Sequence, residues 1–308
     1  MPEAPSPQRQ GGTDPASAAA PAGRVSHGIL MLLAASLLFA LSDATSKLLT
    51  ATLPPLEVAF LRSAIMALFT VGAVIWLRGP RVLYSKHPVR QGLRGIAYSA
   101  ASIIFVLGLG LMPLAEIVAI NFVWPLLITV FSVLLLKEKV GIRRFTATIV
   151  GFSGMLIIMR PGTGAFQVAA LYPLATAVCW SLAVTMTRAM PQSEAPETTM
   201  AWSSLIMLAV TVIAVPFVWV SPSATDLAIA FGIGLLAAAG HALIINAYRH
   251  AKASTLAPFS YTQLFWAVIA GYFYFGTVPD RWTIAGSLVI VASGLYTIHR
   301  ERVRRGGD

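Results

Sequence analysis

Two cations, Lys47 and Arg188, lie inside long apolar stretches and follow similar runs of side-chain types. The first run extends from Phe39 to Lys47, and the second, 141 residues later, from Trp180 to Arg188. Each run is an aromatic residue, six or seven small or apolar residues rich in Ser and Thr, and then a cation. Because a charge in hydrocarbon is costly, charges at equivalent places predict that the chain contains a duplicated functional unit within the membrane.

Acidic residues and a further arginine accompany Lys47. With a rise of about 1.5 Å per residue, Asp43 and Arg62 fall at similar depths on consecutive antiparallel helices, and Glu116 falls near the level of Lys47. These depths predict two charge pairs, Asp43 with Arg62 and Lys47 with Glu116, in the outer half of a polar cavity. The pairs serve either as structural clamps or in substrate or proton handling, and Lys47 and Glu116 alternatively extend to the membrane interface.

Arg188 differs from Lys47 because Val184 occupies the place of Asp43 in the second run. Arg188 therefore lacks an equivalent acid. The sequence leaves two interpretations, an orientation anchor at the cytoplasmic end of its span and a gate or anion contact.

Neutral polar and aromatic residues near the midplane complete the candidate cavity. His241 is either a hydrogen-bonded packing residue or a proton carrier. Asn121 and Tyr261 are counterparts at an offset of 140 residues, and Gln263 follows Tyr261. Aromatic walls, helix packing and interface belts are alternative roles for the tryptophans Trp124, Trp180 and Trp266. Helix breaks that expose backbone groups, or simple kinks, are predicted at Pro125 and Pro258.

The composition is that of a polytopic membrane protein. The chain is 57% hydrophobic and 11% charged, with a strongly positive mean hydropathy. Its net charge of +10 comes mostly from basic residues between apolar segments, which indicates membrane orientation rather than nucleic-acid binding. The single cysteine, Cys179, excludes an internal disulfide and is interpreted as a packing residue.

Ten stretches reach the length of about 17–25 residues that crosses a bilayer. With a cytoplasmic N-terminus, eighteen of the 22 Lys and Arg residues fall on the inside, whereas the outside loops hold only Arg160 and Arg281. This asymmetry predicts that both termini are cytoplasmic. The predicted spans are 28–50, 56–77, 90–111, 114–136, 142–159, 166–188, 199–220, 227–248, 253–275 and 282–299.

The predicted fold is an all-α integral membrane bundle of two inverted five-helix repeats. Ser153 and Gly154 in span five match Ser293 and Gly294 in span ten, again at an offset of 140. Two halves of five spans must be oppositely oriented because five is odd, which is the layout of many secondary transporters. The predicted domains are a disordered cytoplasmic tail at 1–26, repeats at 27–160 and 161–299, and a basic cytoplasmic tail at 300–308.

On these residues the chain resembles the EamA branch of the drug/metabolite transporter superfamily over about residues 28–299. The resemblance rests on the run from Phe39 to Lys47, L-M-P-L-A at 111–115, Pro125, L-L-K-E at 135–138 and G-F-S-G at 151–154. The run from Trp180 to Arg188 and Pro258 play similar parts in the second half. The family implies a ten-helix bundle with a central substrate cavity and alternating access. A weaker resemblance, through Asp43 and the base four residues later, is to its riboflavin and S-adenosylmethionine transporter branches.

The expected function is therefore secondary transport of a small organic metabolite across a bacterial inner membrane. A channel, a membrane receptor and an intramembrane serine protease are the alternatives; the protease would use Ser153 and His241. We expect no enzymatic activity, cofactor, metal or nucleic-acid partner. Substrate identity, uptake or export, proton coupling or facilitated exchange, and a monomeric or homodimeric state stay open.

Overall fold

The computed structural model describes residues 22–138, 141–162, 168–190, 194–251 and 253–305. Within those ranges the chain is all-helical, with twelve α-helices joined by short turns and 3₁₀ segments. The helices are α1 Ala22–Leu49, α2 Pro55–Arg78, α3 Pro88–Leu109, α4 Leu114–Asn121, α5 Trp124–Leu136, α6 Ile142–Met159, α7 Leu171–Arg188, α8 Pro196–Ala214, α9 Ala224–His250, α10 Ala253–Leu256, α11 Thr262–Phe275 and α12 Arg281–Arg305.

The first and last helices extend beyond the boundaries predicted for the tails. Helix α1 already begins at Ala22, so residues 22–26 are helical rather than part of a disordered tail. Helix α12 continues to Arg305, so most of the basic segment after residue 299 is helical too. The physical reason is that neither extension contains a proline, so the helical backbone hydrogen bonds can continue through it. In the sequence, Pro21 precedes the first extension, and two glycines follow Arg305 at the end of the second. Residues 1–21 and 306–308 lie outside the described residues.

Most of the helices are long and apolar enough to cross a membrane. Eight candidate spans meet this criterion in the described residues, one of them being α4 and α5 taken together, and Phe145–Met159 is a shorter apolar helix. The broken segment from α10 to α11 occupies the remaining stretch at 253–275. The helices therefore follow the predicted apolar stretches, while ten crossings and cytoplasmic termini stay predictions.

The polarity of the molecule is reversed relative to a water-soluble protein. Large apolar side chains face outward, as in Trp76 (84% exposed) and Phe217 (86% exposed), whereas Ser42, Asp43 and Ser46 are buried. An extensive apolar surface needs an apolar surrounding, and the buried polar groups need partners inside the bundle. This distribution is the one expected of a bundle embedded in lipid.

Proline and left-handed residues set many of the helix ends. Pro55, Pro88 and Pro196 occupy the first turn of α2, α3 and α8, where a missing N–H costs nothing. Lys137 and Arg160 end α5 and α6 with φ of 54° and 48°. At each of these ends the backbone amide of the left-handed residue donates to a carbonyl of the preceding turn, which ends the helix and keeps the connection short.

Helix packing is matched between the two halves of the chain when it is divided after α6. In this division α1, α2 and α3 correspond to α7, α8 and α9. The packing of α1 on α9 therefore has its counterpart in α7 on α3, and the packing of α2 on α9 has its counterpart in α8 on α3. Likewise α1 contacts α11 as α7 contacts α5, whereas α2 with α8 and α6 with α12 pair corresponding helices directly. The four helices α1, α3, α7 and α9 thereby surround the centre of the bundle.

The α6–α12 contact depends on glycine. A Cβ at Gly154 would lie 2.8 Å from the carbonyl oxygen of Gly286, a backbone atom that cannot yield. Ser293 adds a hydrogen bond to the Ala147 carbonyl across the same contact. Small residues let two helix backbones approach closely, as is common between membrane helices.

Candidate substrate cavity

A cavity of about 390 Å³ is a shallow groove between α6 and α12, whereas a larger one of about 620 Å³ lies at the centre between the two halves. The central cavity is the better candidate because it contains most of the charged and aromatic residues singled out in the sequence. It is lined by ten of the predicted site residues, namely Asp43, Arg62, Asn121, Trp124, Pro125, Trp180, Arg188, His241, Tyr261 and Gln263.

Asp43 and Arg62 form the ion pair that the depth argument predicted. Arg62 Nη1 lies 3.3 Å from Asp43 Oδ1, and both side chains are largely buried. Gln263 Nε2 donates to the other oxygen, Oδ2, at 3.5 Å. The carboxylate therefore connects α1 with α2 of the first half and α11 of the second, so a change at Asp43 affects three helices.

His241 forms a second polar contact in the cavity wall, with Tyr98. Its Nδ1 donates to the Ala237 carbonyl at 2.9 Å, which leaves Nε2 of the neutral ring to accept from the Tyr98 hydroxyl at 3.3 Å. Phe39 packs edge-on against the imidazole at 4.9 Å between ring centroids, and Trp180 contacts Tyr98 at 5.7 Å. This arrangement orients the histidine and gives the cavity an aromatic wall.

Arg94 is a cavity residue that the sequence analysis assigned only to the cytoplasmic charge count. It donates to the Thr187 hydroxyl at 2.6 Å, to the Thr199 carbonyl at 3.3 Å and to the Ser203 hydroxyl. Tyr98, which also lines the cavity, follows Arg94 by four residues and so lies on the same face of α3. The i, i+4 spacing within an apolar stretch was the available signal for both residues.

Both predicted helix breaks are present. Helix α4 ends at Asn121 and α5 begins at Trp124, with Pro125 in its first turn, while a 3₁₀ segment at Ala257–Tyr261 separates α10 from α11 and contains Pro258. The Ser181 hydroxyl donates to the carbonyl of Trp124 at 2.9 Å, so a side chain of the second half binds the break in the first.

Three side chains of the cavity wall, two at the helix breaks and one on α7, each have a buried polar atom to account for. Among the described residues, Asn121 Oδ1, Thr176 Oγ1 and Tyr261 Oη are buried and have no hydrogen-bond partner. All three side chains line the cavity. A buried polar group without a partner is costly, so these atoms need a hydrogen bond that the described residues do not supply.

The structure gives Lys47 partners other than the predicted Glu116. Its Nζ donates to the carbonyls of Leu109 at 2.6 Å and Met112 at 2.7 Å, at the end of α3. Glu116 instead lies near Arg160 and Asp280, which form a 3.0 Å ion pair. The pairing of Lys47 with Glu116 was wrong because depth fixes the level of a residue but not the direction of its side chain. Lys47, Glu116, Trp266 and Pro258 are absent from the described lining of the central cavity.

The Ser153 and His241 side chains of the protease alternative have other hydrogen-bond partners in the described ranges. Ser153 is exposed on α6 and donates to the Val150 carbonyl at 2.7 Å, whereas His241 bonds Tyr98 in the cavity. In these ranges no cluster of three or more His, Cys, Asp or Glu residues could hold a metal ion. The geometry is suited to binding rather than to nucleophilic attack.

An apolar helical bundle around a charged, aromatic-walled cavity defines the class of membrane transporters. The model of the EamA-like transporter family matches residues 26–160 and 167–298. The chain belongs to this family, and it is a membrane transporter.

Curated relatives and a solved structure cover nearly the whole chain. The S-adenosylmethionine uptake transporter of Rickettsia prowazekii is 25% identical over 276 residues, covering 90% of this chain and 94% of its own. The riboflavin transporter of Rhizobium johnstonii is 28% identical over 281 residues, covering 90% and 92%. A crystal structure at 21% identity covers 92% of this chain and 99% of its own with a TM-score of 0.62. At that identity it shows the fold alone.

Proposed function

We propose that the chain is a secondary carrier that moves a small organic metabolite across a bacterial inner membrane by alternating access. The similar transporters named for S-adenosylmethionine and riboflavin support a small organic substrate. The observation that carries the proposal is the central cavity itself, which takes its lining from both halves and contains the Asp43–Arg62 pair. A site shared by two halves changes its exposure when one half moves against the other.

The proposed architecture is ten spans in two inverted repeats, at 27–160 and 161–299, with both termini in the cytoplasm. The matched helix packing supports this division, since contacts of the first half have counterparts in the second. The two family-model matches, 26–160 and 167–298, are also close to the proposed repeats. In this arrangement α1 runs outward, so the cavity extends from Asp43 toward the cytoplasmic ends of α3, α7 and α9.

The state described by the structure is proposed to be closed at its outer end. The hydrogen bonds of Lys47 connect α1 to the end of α3. Thr52 Oγ1 donates to Asp226 Oδ1 at 2.9 Å and so connects the turn after α1 to the start of α9. At the other end of the cavity Arg188 and Thr187 are exposed. The cavity would therefore open toward the cytoplasm in this state.

Two driving modes are consistent with the proposed carrier, proton coupling and facilitated exchange, in either direction of transport and as a monomer or homodimer. Asp43, Glu116 and His241 are the groups that could carry a proton. Uptake into liposomes with and without an imposed pH gradient separates the modes. Insensitivity to the gradient excludes proton coupling through these three residues.

Two-sided labelling of a cavity cysteine tests alternating access. Ser102 lines the cavity, and Cys179 is the single native thiol, so Ser102→Cys is made in a Cys179→Ala background. A membrane-impermeant maleimide should label it in both inside-out and right-side-out vesicles, with Cys179→Ala alone as the control. Labelling from one side only would contradict the proposal.

A further inference from the structure

The central cavity carries more positive than negative side chains. Among the described lining residues, Arg62, Arg94 and Arg188 face a single carboxylate, Asp43. Asp43 already pairs with Arg62. The guanidinium groups of Arg94 and Arg188 thus have no further carboxylate in the described lining of the cavity.

Arg94 is held in place without being neutralised. Its three recorded partners, Thr187, Thr199 and Ser203, offer hydroxyl or carbonyl oxygens, all of them uncharged. These bonds fix the direction of the half-buried guanidinium, and none of them brings a carboxylate to it. A partly desolvated charge is costly, and an anion that enters the cavity offsets that cost.

Arg188 extends the same positive region. It follows Thr187, the residue that Arg94 binds, and it is exposed at the end of α7. Arg188 alone would be explained as an orientation anchor, since cations collect at cytoplasmic helix ends. Arg94 is not explained in that way, because it lies in the second turn of α3 and its donors point to α7 and α8 rather than to the surface.

Two aromatic rings, tilted by 46° to one another, also line the cavity. Trp180 and Tyr98 lie in contact, with ring centroids 5.7 Å apart. Both rings line the cavity together with the arginines, and Tyr98 lies four residues after Arg94 on the same face of α3. The cations and the two rings together can bind a molecule with a flat apolar body and a charged end.

We propose that Arg94 and Arg188 form an anion subsite, and that the substrate is an organic anion, a carboxylate on a flat apolar body resting against Trp180 and Tyr98. The proposal rests on the carrier function argued above. The bonds to Thr187, Thr199 and Ser203 occupy Nε and Nη1 of Arg94 and leave the donors of Nη2 for an anion. Charge-assisted hydrogen bonds favour a carboxylate over a neutral amide of the same shape.

Matched acids and amides test the proposal on the purified full-length protein in detergent. The probes are indole-3-acetate with indole-3-acetamide, phenylacetate with phenylacetamide, and tryptophan with tryptophanamide. At least one acid should raise the unfolding temperature at a concentration tenfold or more below that needed by its amide. Amides that act as well as the acids, or a series in which no acid acts, would overturn the proposal.

Variants of the two arginines test whether the preference for acids over amides arises at Arg94 and Arg188. Arg94→Gln and Arg188→Gln should each weaken stabilisation by the acid about tenfold or more and leave the amide unchanged. Arg188 is exposed, so its variant remains informative if Arg94→Gln does not fold. Arg81→Gln, an exposed arginine before α3 and outside the cavity, is the matched control and should behave like the parent protein. An acid preference that survives in both cavity variants would also overturn the proposal.

The subsite and the carrier function fail separately. Saturable exchange of a neutral or cationic compound, with no acid preference, would overturn the anion subsite and leave the carrier intact. Acid binding that depends on Arg94, together with flux that never saturates, would overturn the carrier and leave the subsite.

Discussion

Arg62 of α2 donates to the carboxylate of Asp43 on α1, with Nη1 3.3 Å from Oδ1, and both side chains are largely buried in the apolar bundle. Removing one member of a buried ion pair leaves an uncompensated charge, which costs about 3–5 kcal/mol. The pair also lines the proposed substrate cavity. It is therefore expected to contribute both to folding and to transport.

Charge reversal separates those two contributions. Asp43→Arg and Arg62→Asp should each lower the folded yield sharply, and the double variant should recover most of the thermal stability in detergent. Transport should stay low in the double variant, because the carboxylate would then be on the wrong helix for Gln263 and the substrate. Recovery of transport along with stability would contradict a direct role of this pair in the cavity.

The close contact between Gly294 and Tyr261 predicts that a larger side chain at position 294 destabilises the protein. A methyl group at Gly294 would lie 2.6 Å from Tyr261 Cζ and closer still to its hydroxyl. Gly294→Ala should therefore destabilise the protein by about 1–3 kcal/mol and lower transport, because Tyr261 lines the cavity. Thermal unfolding in detergent measures the first effect, and liposome flux measures the second.

A glycine in open space is the matched control. Nothing lies within 4 Å of a Cβ at Gly232 on α9, so Gly232→Ala should leave stability unchanged or raise it by up to about 1 kcal/mol. Tyr261→Phe combined with Gly294→Ala removes the closest atom and should recover part of the loss. Equal stability of the Gly294 and Gly232 variants would show that the contact is unimportant.

Lys47 is predicted to stabilise the outer end of the bundle. Its ammonium donates to two carbonyls where α3 ends and lies 5.5 Å from the Phe275 ring centroid. Lys47→Met should lower the free energy of unfolding by about 1.5–3 kcal/mol, the contribution of hydrogen bonds to a charged group, whereas Lys86→Met, at an exposed lysine, should have little effect. Equal stability of the two variants would be inconsistent with this role.

The environment of Glu194, which lies outside the predicted membrane spans, predicts that the stability of the protein depends on pH. Burial raises the pKa of this carboxyl, but hydrogen bonds from Gln91, Ser85 and the backbone amides of Lys86 and His87 outweigh burial, so its pKa is below the ordinary value. A group whose pKa is lowered on folding stabilises the protein above its unfolded pKa and loses that contribution as pH falls through its folded pKa. The contact of residues 85–91 with the segment before α8 should therefore weaken only in acid.

Glu194→Gln removes this titration. The variant should be less stable than the parent protein at neutral pH, and the difference in unfolding temperature should shrink as pH falls through the acidic range. Glu138→Gln, at an exposed carboxylate just after α5, is the control. A difference that stays constant down to low pH would contradict the assignment to this carboxylate.

Helix positions and the Asp43–Arg62 pair were predictable because they depend on apolar length and on rise per residue. The Lys47 contacts and the position of Arg94 were not, since both depend on the direction in which a helix turns its side chains. The sequence assigns Arg94 only to the cytoplasmic charges because it lies near the start of the span predicted at 90–111. Only the packing of α3 on α7 and α8 reveals that its guanidinium faces Thr187 and Ser203.

Counterflow in proteoliposomes tests the carrier function most directly. Compounds that raise the unfolding temperature are loaded on one side at high concentration, and the labelled compound is supplied on the other side. A carrier predicts saturable flux with transient accumulation of label driven by the counter-substrate, lost in Asp43→Asn. Linear, non-saturating flux without acceleration by the counter-substrate would contradict the account.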